Sequence, residues 1–188
     1  INWKFKVRNV FITGGAGYVG SHCVVSLVKN GYTPIILDNF SNSHHSVIKK
    51  LEIITDKKIT FYKVDLKDKK KLKSIFKKHQ CYAVIHCAGF KAAGESIQKP
   101  IYYFDNNIGS TLSLLECMQE KNVFKLLFSS SAAVYDDKQP LPLKETGKNG
   151  NTNSPYGTTK YIIERILIDL AKSDTRWCIR IARYFNAI

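Results

Sequence analysis

The fold of this chain is most directly predicted from the segment Thr13-Gly14-Gly15-Ala16-Gly17-Tyr18-Val19-Gly20. Its glycines at 14, 17 and 20 stand between an apolar run, Asn9–Thr13, and a segment of helical period, Tyr18–Lys29. Backbone N–H groups at a helix N-terminus attract phosphate, and glycine lets that backbone approach closely. Turns also use glycine, so the pattern gains its meaning from its place between a strand and a helix. We predict a dinucleotide pyrophosphate site here.

A carboxylate, Asp38, follows the second predicted strand, residues 34–37. At this position a carboxylate accepts the ribose hydroxyls of the adenosine half and repels a 2′-phosphate, which favours NAD over NADP. The alternative is that Asp38 only caps the following loop. Asp65, after the third predicted strand (59–64), also has two interpretations, a contact with adenine or an N-cap of the next helix.

Short apolar runs alternate with segments of helical period along the whole chain, which is typical of βαβ units and a parallel sheet. We predict an α/β fold with a doubly wound, Rossmann-like parallel sheet, one NAD-binding domain over residues 1–188, and no separate C-terminal substrate domain. The further predicted helices cover residues 46–54, 69–79 and 100–121 and begin at 154–155. The further predicted strands cover 82–87, 124–128 and 177–182, and residues 136–153 form a loop.

The net charge of +14 raises the question of nucleic-acid binding. Only five of the 29 basic residues are Arg, whereas specific readers of nucleic acid depend on Arg and on aromatic platforms. In the densest lysine cluster, residues 67–78, Leu72, Ile75 and Phe76 recur at helical spacing, which indicates the solvated face of an amphipathic helix. We expect no nucleic-acid partner.

The five cysteines are scattered and form no CxxC pair, so we expect free thiols, no metal site and a cytoplasmic location. No apolar run approaches the roughly 20 residues that span a bilayer, and we expect no membrane partner. The first residue is Ile1 rather than Met, and its basic flank runs directly into the first strand. We expect a processed chain or a fragment.

A run of serine hydroxyls and a Tyr–Lys pair suggest a catalytic site for proton transfer. Ser129, Ser130 and Ser131 follow the fifth predicted strand, where ligands bind in such sheets. Tyr156 and Lys160 are four residues apart and share one helix face. An ammonium beside a phenol lowers the phenol pKa, and the phenolate can then take the proton of a secondary alcohol while hydride passes to a cofactor. The alternative is an ordinary exposed helix pair.

These motifs together resemble the extended short-chain dehydrogenase/reductase family. Within that family the chain is most similar to the 4-epimerases that interconvert UDP-glucose and UDP-galactose, and the similarity covers the whole chain. It is carried by the stretches TGGAGYVGSH, ILDNFSNS, VIHCAGFKAAGESIQKP, YYFDNN, FSSSAAVY, SPYGTTK and RYFN.

The resemblance implies redox-neutral epimerisation at sugar carbon 4 through a 4-keto intermediate. It implies Tyr156 as the base, Ser131 as its hydrogen-bonding partner and Lys160 as the residue that holds the nicotinamide ribose. On the cofactor side it and the motifs imply Gly14, Gly17, Tyr18, Val19, Gly20, Asp38, Asn39, Asp65, Leu66, Cys87, Ala88, Gly89, Lys91, Asn106, Ser129, Tyr156, Lys160 and Tyr184. On the UDP-sugar side it implies Lys91, Ser131, Tyr156, Phe185 and Asn186, with Tyr184 nearby.

Some positions depart from the family pattern. Related 4,6-dehydratases carry an Asp-Glu pair where this chain has Ala132-Ala133, which favours epimerisation over elimination. Ala133 also replaces a frequent Thr, and Asp136 replaces the usual Gly. Family members continue into a C-terminal region that completes the UDP-sugar pocket and lies outside these 188 residues. We therefore expect low activity from the chain alone.

Two other functions stay open at this stage: an NAD(P)-dependent reductase with net redox change, and a non-catalytic NAD-binding or sensing module. The resemblance also implies a homodimer of the full-length enzyme, built from the helices near residues 100–121 and 154–172. The apolar stripes of these helices could equally face the sheet.

Overall fold

The computed structural model describes residues 8–186, and the predicted basic flank of the first strand, residues 1–7, lies outside the described residues. Strands and helices alternate along the described part of the chain. The strands are β1 Asn9–Thr13, β2 Thr33–Asp38, β3 Thr60–Lys63, β4 Cys81–His86, β5 Lys125–Ser131 and β6 Cys178–Tyr184. The helices are α1 Tyr18–Lys29, α2 Ser46–Thr55, α3 Lys69–Lys78, α4 Ala93–Gln98, α5 Pro100–Phe104, α6 Ser110–Glu120 and α7 Pro155–Ser173.

The strands form one parallel sheet in the order β3-β2-β1-β4-β5-β6. The strand order reverses at β1, which pairs with β2 on one side and β4 on the other. In such sheets the connections on the two sides of this point leave on opposite faces and open a crevice beyond the strand ends. The prediction of a doubly wound, Rossmann-like sheet is confirmed.

The core has two layers because neighbouring residues of each strand point to opposite faces of the sheet. Phe11 belongs to the cluster that packs against α3, α6 and α7, whereas Ile12 belongs to the cluster that packs against α1 and α2. Both side chains are fully buried. Phe128 of β5 joins the first cluster and Ile36 of β2 joins the second. This packing fixes the carboxyl ends of the strands relative to one another.

The lysine-rich segment forms the amphipathic helix that the sequence predicts. Leu72, Ile75 and Phe76 of α3 are buried, and its lysines lie outside. Lys69 and Lys73 pair with Glu116 and Glu120 of α6 at 2.5 and 2.7 Å. All five cysteines are free thiols. Across residues 8–186, no helix combines the length and the apolar character that crossing a membrane requires.

The N-caps of α7 and α3 show which of the predicted helix starts are right. The Ser154 hydroxyl accepts a hydrogen bond of 3.2 Å from Gly157 N, and Pro155 occupies the first helical position, so α7 begins where predicted. Asp68, whose carboxylate accepts from Lys71 N at 3.1 Å, caps α3. The N-cap interpretation of Asp65 is therefore wrong. Asp65 instead bonds Lys67 N at 2.9 Å, within its own loop.

The helix predicted over residues 100–121 is interrupted. A π-helical turn, Asp105–Gly109, separates α5 from α6 while the backbone stays helical. Single π turns insert an extra residue and often lie at functional sites. The additional short helix α4, Ala93–Gln98, was not predicted, because a six-residue segment offers too little periodicity.

Candidate functional site

A cleft of about 720 Å³ opens at the carboxyl ends of the strands, beside the point where the strand order reverses. Every site residue that the sequence analysis named lies on its wall. These are Gly14, Gly17, Tyr18, Val19, Gly20, Asp38, Asn39, Asp65, Leu66, Cys87, Ala88, Gly89, Lys91, Asn106, Ser129, Ser131, Tyr156, Lys160, Tyr184, Phe185 and Asn186. Their proximity is a finding, and their individual roles stay predictions.

The glycine loop leaves no room for side chains at two of its positions. Gly14 has a φ of +67°, and a Cβ there would lie 2.7 Å from the backbone nitrogen of Ala88. A Cβ on Gly20 would collide with the carbonyl oxygen of Gly14. The loop therefore needs glycine to bring α1 tightly against β1 and β4. Its N–H groups then stand at the N-terminus of a 12-residue helix, where they favour an anion.

Asp38 lies on the wall of the cleft and also accepts hydrogen bonds from the protein itself. It is 8% exposed, and its Oδ2 accepts a hydrogen bond of 3.0 Å from Ala16 N in the glycine loop. Its Oδ1 accepts from Phe40 N at 2.8 Å and from the Ser43 hydroxyl at 3.1 Å. Asp38 thus caps the loop that follows β2, which was the alternative interpretation of this residue. A carboxylate offers about four acceptor positions, so the same group can still receive a ribose hydroxyl.

Lys160 lies at the floor of the cleft. It is 6% exposed, and its ammonium donates a hydrogen bond of 2.8 Å to the carbonyl of Ser129. The ammonium also lies 4.8 Å from the centre of the Phe128 ring. Burial lowers the pKa of Lys160 to about 8, and Cys87 and Glu164 act in the opposite direction. Lys160 is therefore still a cation at neutral pH, although its pKa lies much closer to neutrality than that of an exposed lysine.

Tyr156 lies one helical turn before Lys160, and its hydroxyl faces Ser131. Burial raises the pKa of the Tyr156 phenol, while the Ser131 hydroxyl acts to lower it. The predicted lowering of this pKa by Lys160 is therefore not met in the protein alone. The physical reason is that the Lys160 ammonium is directed to the Ser129 carbonyl, while the phenol has lost much of its hydration.

Asn107 is a site residue that the sequence analysis missed. Its side chain lies in the π turn, is 2% exposed and bonds both backbone groups of Phe90, at 2.8 and 3.0 Å. It also donates to the Thr159 hydroxyl at 3.0 Å, and its Oδ1 accepts from Asn106 at 3.0 Å. Asn107 thus connects the loop after β4 with α7. A cofactor contact was predicted for the neighbouring Asn106. The two asparagines look alike in the sequence, and only the geometry of the π turn shows that Asn107 is the one buried between Phe90 and Thr159.

The second missed group is a buried network behind the serine run. Glu164 of α7 is 2% exposed and accepts a hydrogen bond of 2.6 Å from the Ser130 hydroxyl. Arg183 of β6 donates to the same carboxylate through Nε at 2.9 Å and through Nη2 at 2.7 Å. Its guanidinium lies 4.8 Å from the centre of the Tyr135 ring. The sequence shows only that Glu164 is four residues after Lys160 on the same helix face, and its burial appears only in the structure.

The far end of the cleft is formed by the residues at and after the end of β6. Tyr184 pairs in register with Ser131 of β5, which brings it beside the serine run. Phe185 is 65% exposed, and its ring centre lies 6.3 Å from that of Tyr135. Asn186 and Lys91 are exposed on the wall of the cleft. This end is open and aromatic.

A glycine loop, a strand-end carboxylate and a Ser–Tyr–Lys set around one crevice define the class of dinucleotide-binding proteins with a doubly wound sheet. The family model described as "NAD dependent epimerase/dehydratase family" matches residues 10–188. The chain belongs to this family.

Individual relatives are similar over almost the whole chain. The chain is 46% identical over 182 residues to a UDP-glucose 4-epimerase of Neisseria meningitidis serogroup C, which covers 97% of the chain and 54% of that protein. It is 49% identical over 179 residues to a UDP-glucose 4-epimerase of Dictyostelium discoideum, covering 95% of the chain and 52% of that protein. The chain spans about half the length of these curated relatives.

A solved structure shows the same arrangement of the backbone. The structure of the UDP-glucose 4-epimerase of Bifidobacterium longum, a complex with NAD+ and UDP, superimposes with a TM-score of 0.93 at 43% identity. The match covers 95% of this chain and 53% of the other chain.

Proposed function

We propose that this chain supplies the cofactor-binding and catalytic half of an NAD-dependent epimerase that interconverts UDP-glucose and UDP-galactose at carbon 4. The observation that carries the proposal is the convergence of Ser131, Tyr156 and Lys160 with the glycine loop on one cleft. The relatives named UDP-glucose 4-epimerase support the substrate, and the complex with NAD+ and UDP supports both ligands.

The residues of the cleft divide into two groups for binding NAD. The N–H groups of the glycine loop receive the pyrophosphate, and Asp38 receives the ribose hydroxyls of the adenosine half. Lys160 holds the nicotinamide ribose through its ammonium. When bound, NAD+ supplies a hydride acceptor that later returns the hydride to the sugar.

Tyr156 performs the proton transfer. Its phenolate takes the proton of the sugar 4-hydroxyl as hydride leaves carbon 4, and the Ser131 hydroxyl hydrogen-bonds the same oxygen. In the return step, Tyr156 would give its proton back to the oxygen on carbon 4 once the 4-keto sugar has turned its other face to the cofactor side of the cleft. The positive charge of Lys160, together with that of the bound cofactor, must overcome the burial that raises the pKa of Tyr156.

The turn after β5 favours epimerisation over dehydration. Ala132 and Ala133 form a 3-10 turn directly after Ser131 and carry no acid or base. Asp136, the nearest following carboxyl, accepts a hydrogen bond of 2.9 Å from Lys138 N, which lowers its pKa. An elimination would need a general acid that this turn does not offer.

We infer that the full-length enzyme forms a homodimer, as the resemblance implies for the helices near residues 100–121 and 154–172, with the outer side of α5 and α6 as its apolar part. Ile163 and Leu167 of α7 are buried in the core, so this stripe of α7 faces the sheet. Ile101, Tyr102 and Leu112 instead stay exposed, at 83%, 51% and 42%. Sedimentation of the full-length protein and its Ile101→Lys variant tests this surface. A wild-type protein that sediments as a monomer at micromolar concentration would refute it.

The function is tested by an absorbance and fluorescence spectrum of the purified protein before and after UDP-galactose is added. We expect bound nicotinamide, with reduction that depends on UDP-galactose in the full-length protein and is weak in these 188 residues alone. Tyr156→Phe should keep the nicotinamide signal and lose the reduction. Steady consumption of NADH with a carbonyl substrate would instead indicate a reductase. NAD binding without reduction in the full-length protein would indicate a sensing module.

A further inference from the structure

The buried pair of Glu164 and Arg183 is not used by the mechanism above, although it lies directly behind the reacting residues. The two side chains are 3% and 18% exposed and form a bidentate contact. Burying a carboxylate is costly unless several donors satisfy it. Here the Ser130 hydroxyl adds a third donor, so the charged form of Glu164 is fully accommodated.

Glu164 also lies one helical turn from Lys160 on the same face of α7. The ammonium of Lys160 has a neutral direct partner, the carbonyl of Ser129. Within the described residues, the titratable groups that act on it are His86 at the end of β4, Cys87 directly after β4, and Glu164 on α7, while Tyr156 lies one turn before it on the same helix.

Glu164 is the carboxylate among these groups, and the other acidic influence on Lys160 comes from Cys87, which is hydrogen-bonded to Cys23. Burial lowers the pKa of His86 to about 3, so its ring is neutral. The hydrogen bond with Cys23, together with burial, raises the pKa of Cys87, while the same hydrogen bond lowers the pKa of Cys23 to about 7. Burial also raises the pKa of Tyr156. Glu164 remains, with Arg183 of β6 beyond it as the opposing cation.

We propose that Glu164 is a positioning residue of this site: bound between Ser130 and Arg183, its carboxylate keeps Lys160 protonated and ties the ends of β5 and β6 to α7. Ser130 and Arg183 are paired neighbours on these two strands. Ser131 and Tyr184 are the next pair in the same register, so this network lies directly beside them. The inference rests on the proposed function only for the use of Lys160, because the charge on Lys160 can be measured without any ligand.

Glu164→Gln is the direct test, because the amide keeps the shape and an oxygen acceptor but removes the charge. The pH titration of the Lys160 Cε resonance is followed by NMR in the full chain labelled with 13C-lysine and is assigned by its absence from Lys160→Arg. We expect the midpoint to fall by roughly one pH unit, a tenfold change in the protonation equilibrium. An unchanged midpoint in folded Glu164→Gln would overturn the proposal.

A matched control and an opposite variant make the test specific. Asp169→Asn removes a carboxylate from the same helix that is 63% exposed and 3.8 Å from Arg165, and it should leave the midpoint in place. Arg183→Gln removes the cation that offsets Glu164, so the midpoint should rise. If Glu164→Gln does not fold, the Lys160 midpoint in Arg183→Gln is the test instead. A midpoint that falls or does not change in this variant would refute the proposal.

Binding of NAD gives a second readout. In Glu164→Gln, affinity for NAD should match wild type at pH 6, where Lys160 is still protonated, and fall several-fold near pH 8. A loss that is equal at all pH values would indicate a merely structural role and overturn the electrostatic part. If the wild-type chain binds no NAD, the proposed function fails, while the Lys160 titration still tests Glu164.

Discussion

The side chain of Asn107 in the π turn donates a hydrogen bond of 3.0 Å to the hydroxyl of Thr159, the residue that precedes Lys160 on α7. The same amide holds both backbone groups of Phe90 in the loop after β4. The two walls of the cleft are thus connected through one buried side chain. A regular α-helix at Asp105–Gly109 would rotate that side chain away from both partners, because the π turn adds an extra residue to the helix.

Asn107→Ala should destabilise the chain and weaken its binding of NAD. The substitution leaves the N–H and the carbonyl of Phe90 without partners in a partly buried place, at about 1–3 kcal/mol for each group. We expect the free energy of unfolding to fall by about 2–4 kcal/mol in urea denaturation. Asn153→Ala, at an exposed loop position, is the control and should change it by less than about 0.5 kcal/mol.

Gly14→Ala and Gly94→Ala should act in opposite directions. A methyl group at position 14 meets the Ala88 nitrogen at 2.7 Å on a backbone with φ of +67°, so we expect poor folding or no NAD binding. A methyl group at position 94, within α4, has no neighbour within 4 Å and should stabilise by up to about 1 kcal/mol. Thermal unfolding and NAD titration of both variants measure this, and equal behaviour would contradict the close-approach argument.

The stability of the chain should carry a pH dependence from Lys160. Its pKa is lowered from 10.5 to about 8 on folding, so the folded chain binds this proton more weakly than the unfolded chain. The charge therefore opposes folding below about pH 8, by roughly 3 kcal/mol at most, and this cost fades as pH rises towards 10.5.

Lys160→Met isolates this effect. The difference in unfolding free energy, variant minus wild type, should be most positive near pH 6 and should decrease above about pH 8. Loss of the hydrogen bond to Ser129 lowers the difference equally at all pH values, so the slope and not the offset is the readout. Lys57→Met, at an exposed lysine, is the control. A difference independent of pH between about pH 6 and 10 would contradict the prediction.

Asp38→Asn should reduce the discrimination between NAD and NADP. The amide removes the charge that repels a 2′-phosphate and weakens the acceptor for Ala16 N and Phe40 N. We expect NAD affinity to fall by about tenfold, the equivalent of one charge-assisted hydrogen bond, and NADP affinity to fall less or to rise. Fluorescence titrations with both nucleotides test this, with Asp137→Asn as the control in an exposed loop. An unchanged affinity ratio would argue against a ribose contact.

The order of elements was predictable because β1, β2 and α1 obey strong local rules. Apolar runs of strand length, a glycine turn and helical periodicity recur with little ambiguity, and β1 and α1 have the predicted limits. The strands β5 and β6 were predicted to end at residues 128 and 182, which is before their observed ends at Ser131 and Tyr184. Each strand continues into a polar end, Ser129–Ser131 and Arg183–Tyr184, because pairing with its neighbour rather than apolar character sustains it.

The cleft residues were predictable from motifs, but what holds them was not. Ser129, Ser130 and Ser131 look alike in the sequence, yet only the second bonds a buried carboxylate. The partners Glu164 and Arg183 are far apart along the chain, and no local pattern marks them as a pair. The pKa of Tyr156 also depends on burial, which spacing on a helix does not reveal.

The reversal of strand order at β1 has a consequence for how the protein is made. The glycine loop is synthesised about 165 residues before Tyr184, yet both line the same cleft. The cofactor site therefore cannot close during translation until β6 has paired with β5. Free NAD at one hundred times its dissociation constant would add about 2.7 kcal/mol to the folded state, and this gain arrives only after β6 has been synthesised and paired. Until then the nascent sheet depends on its own core.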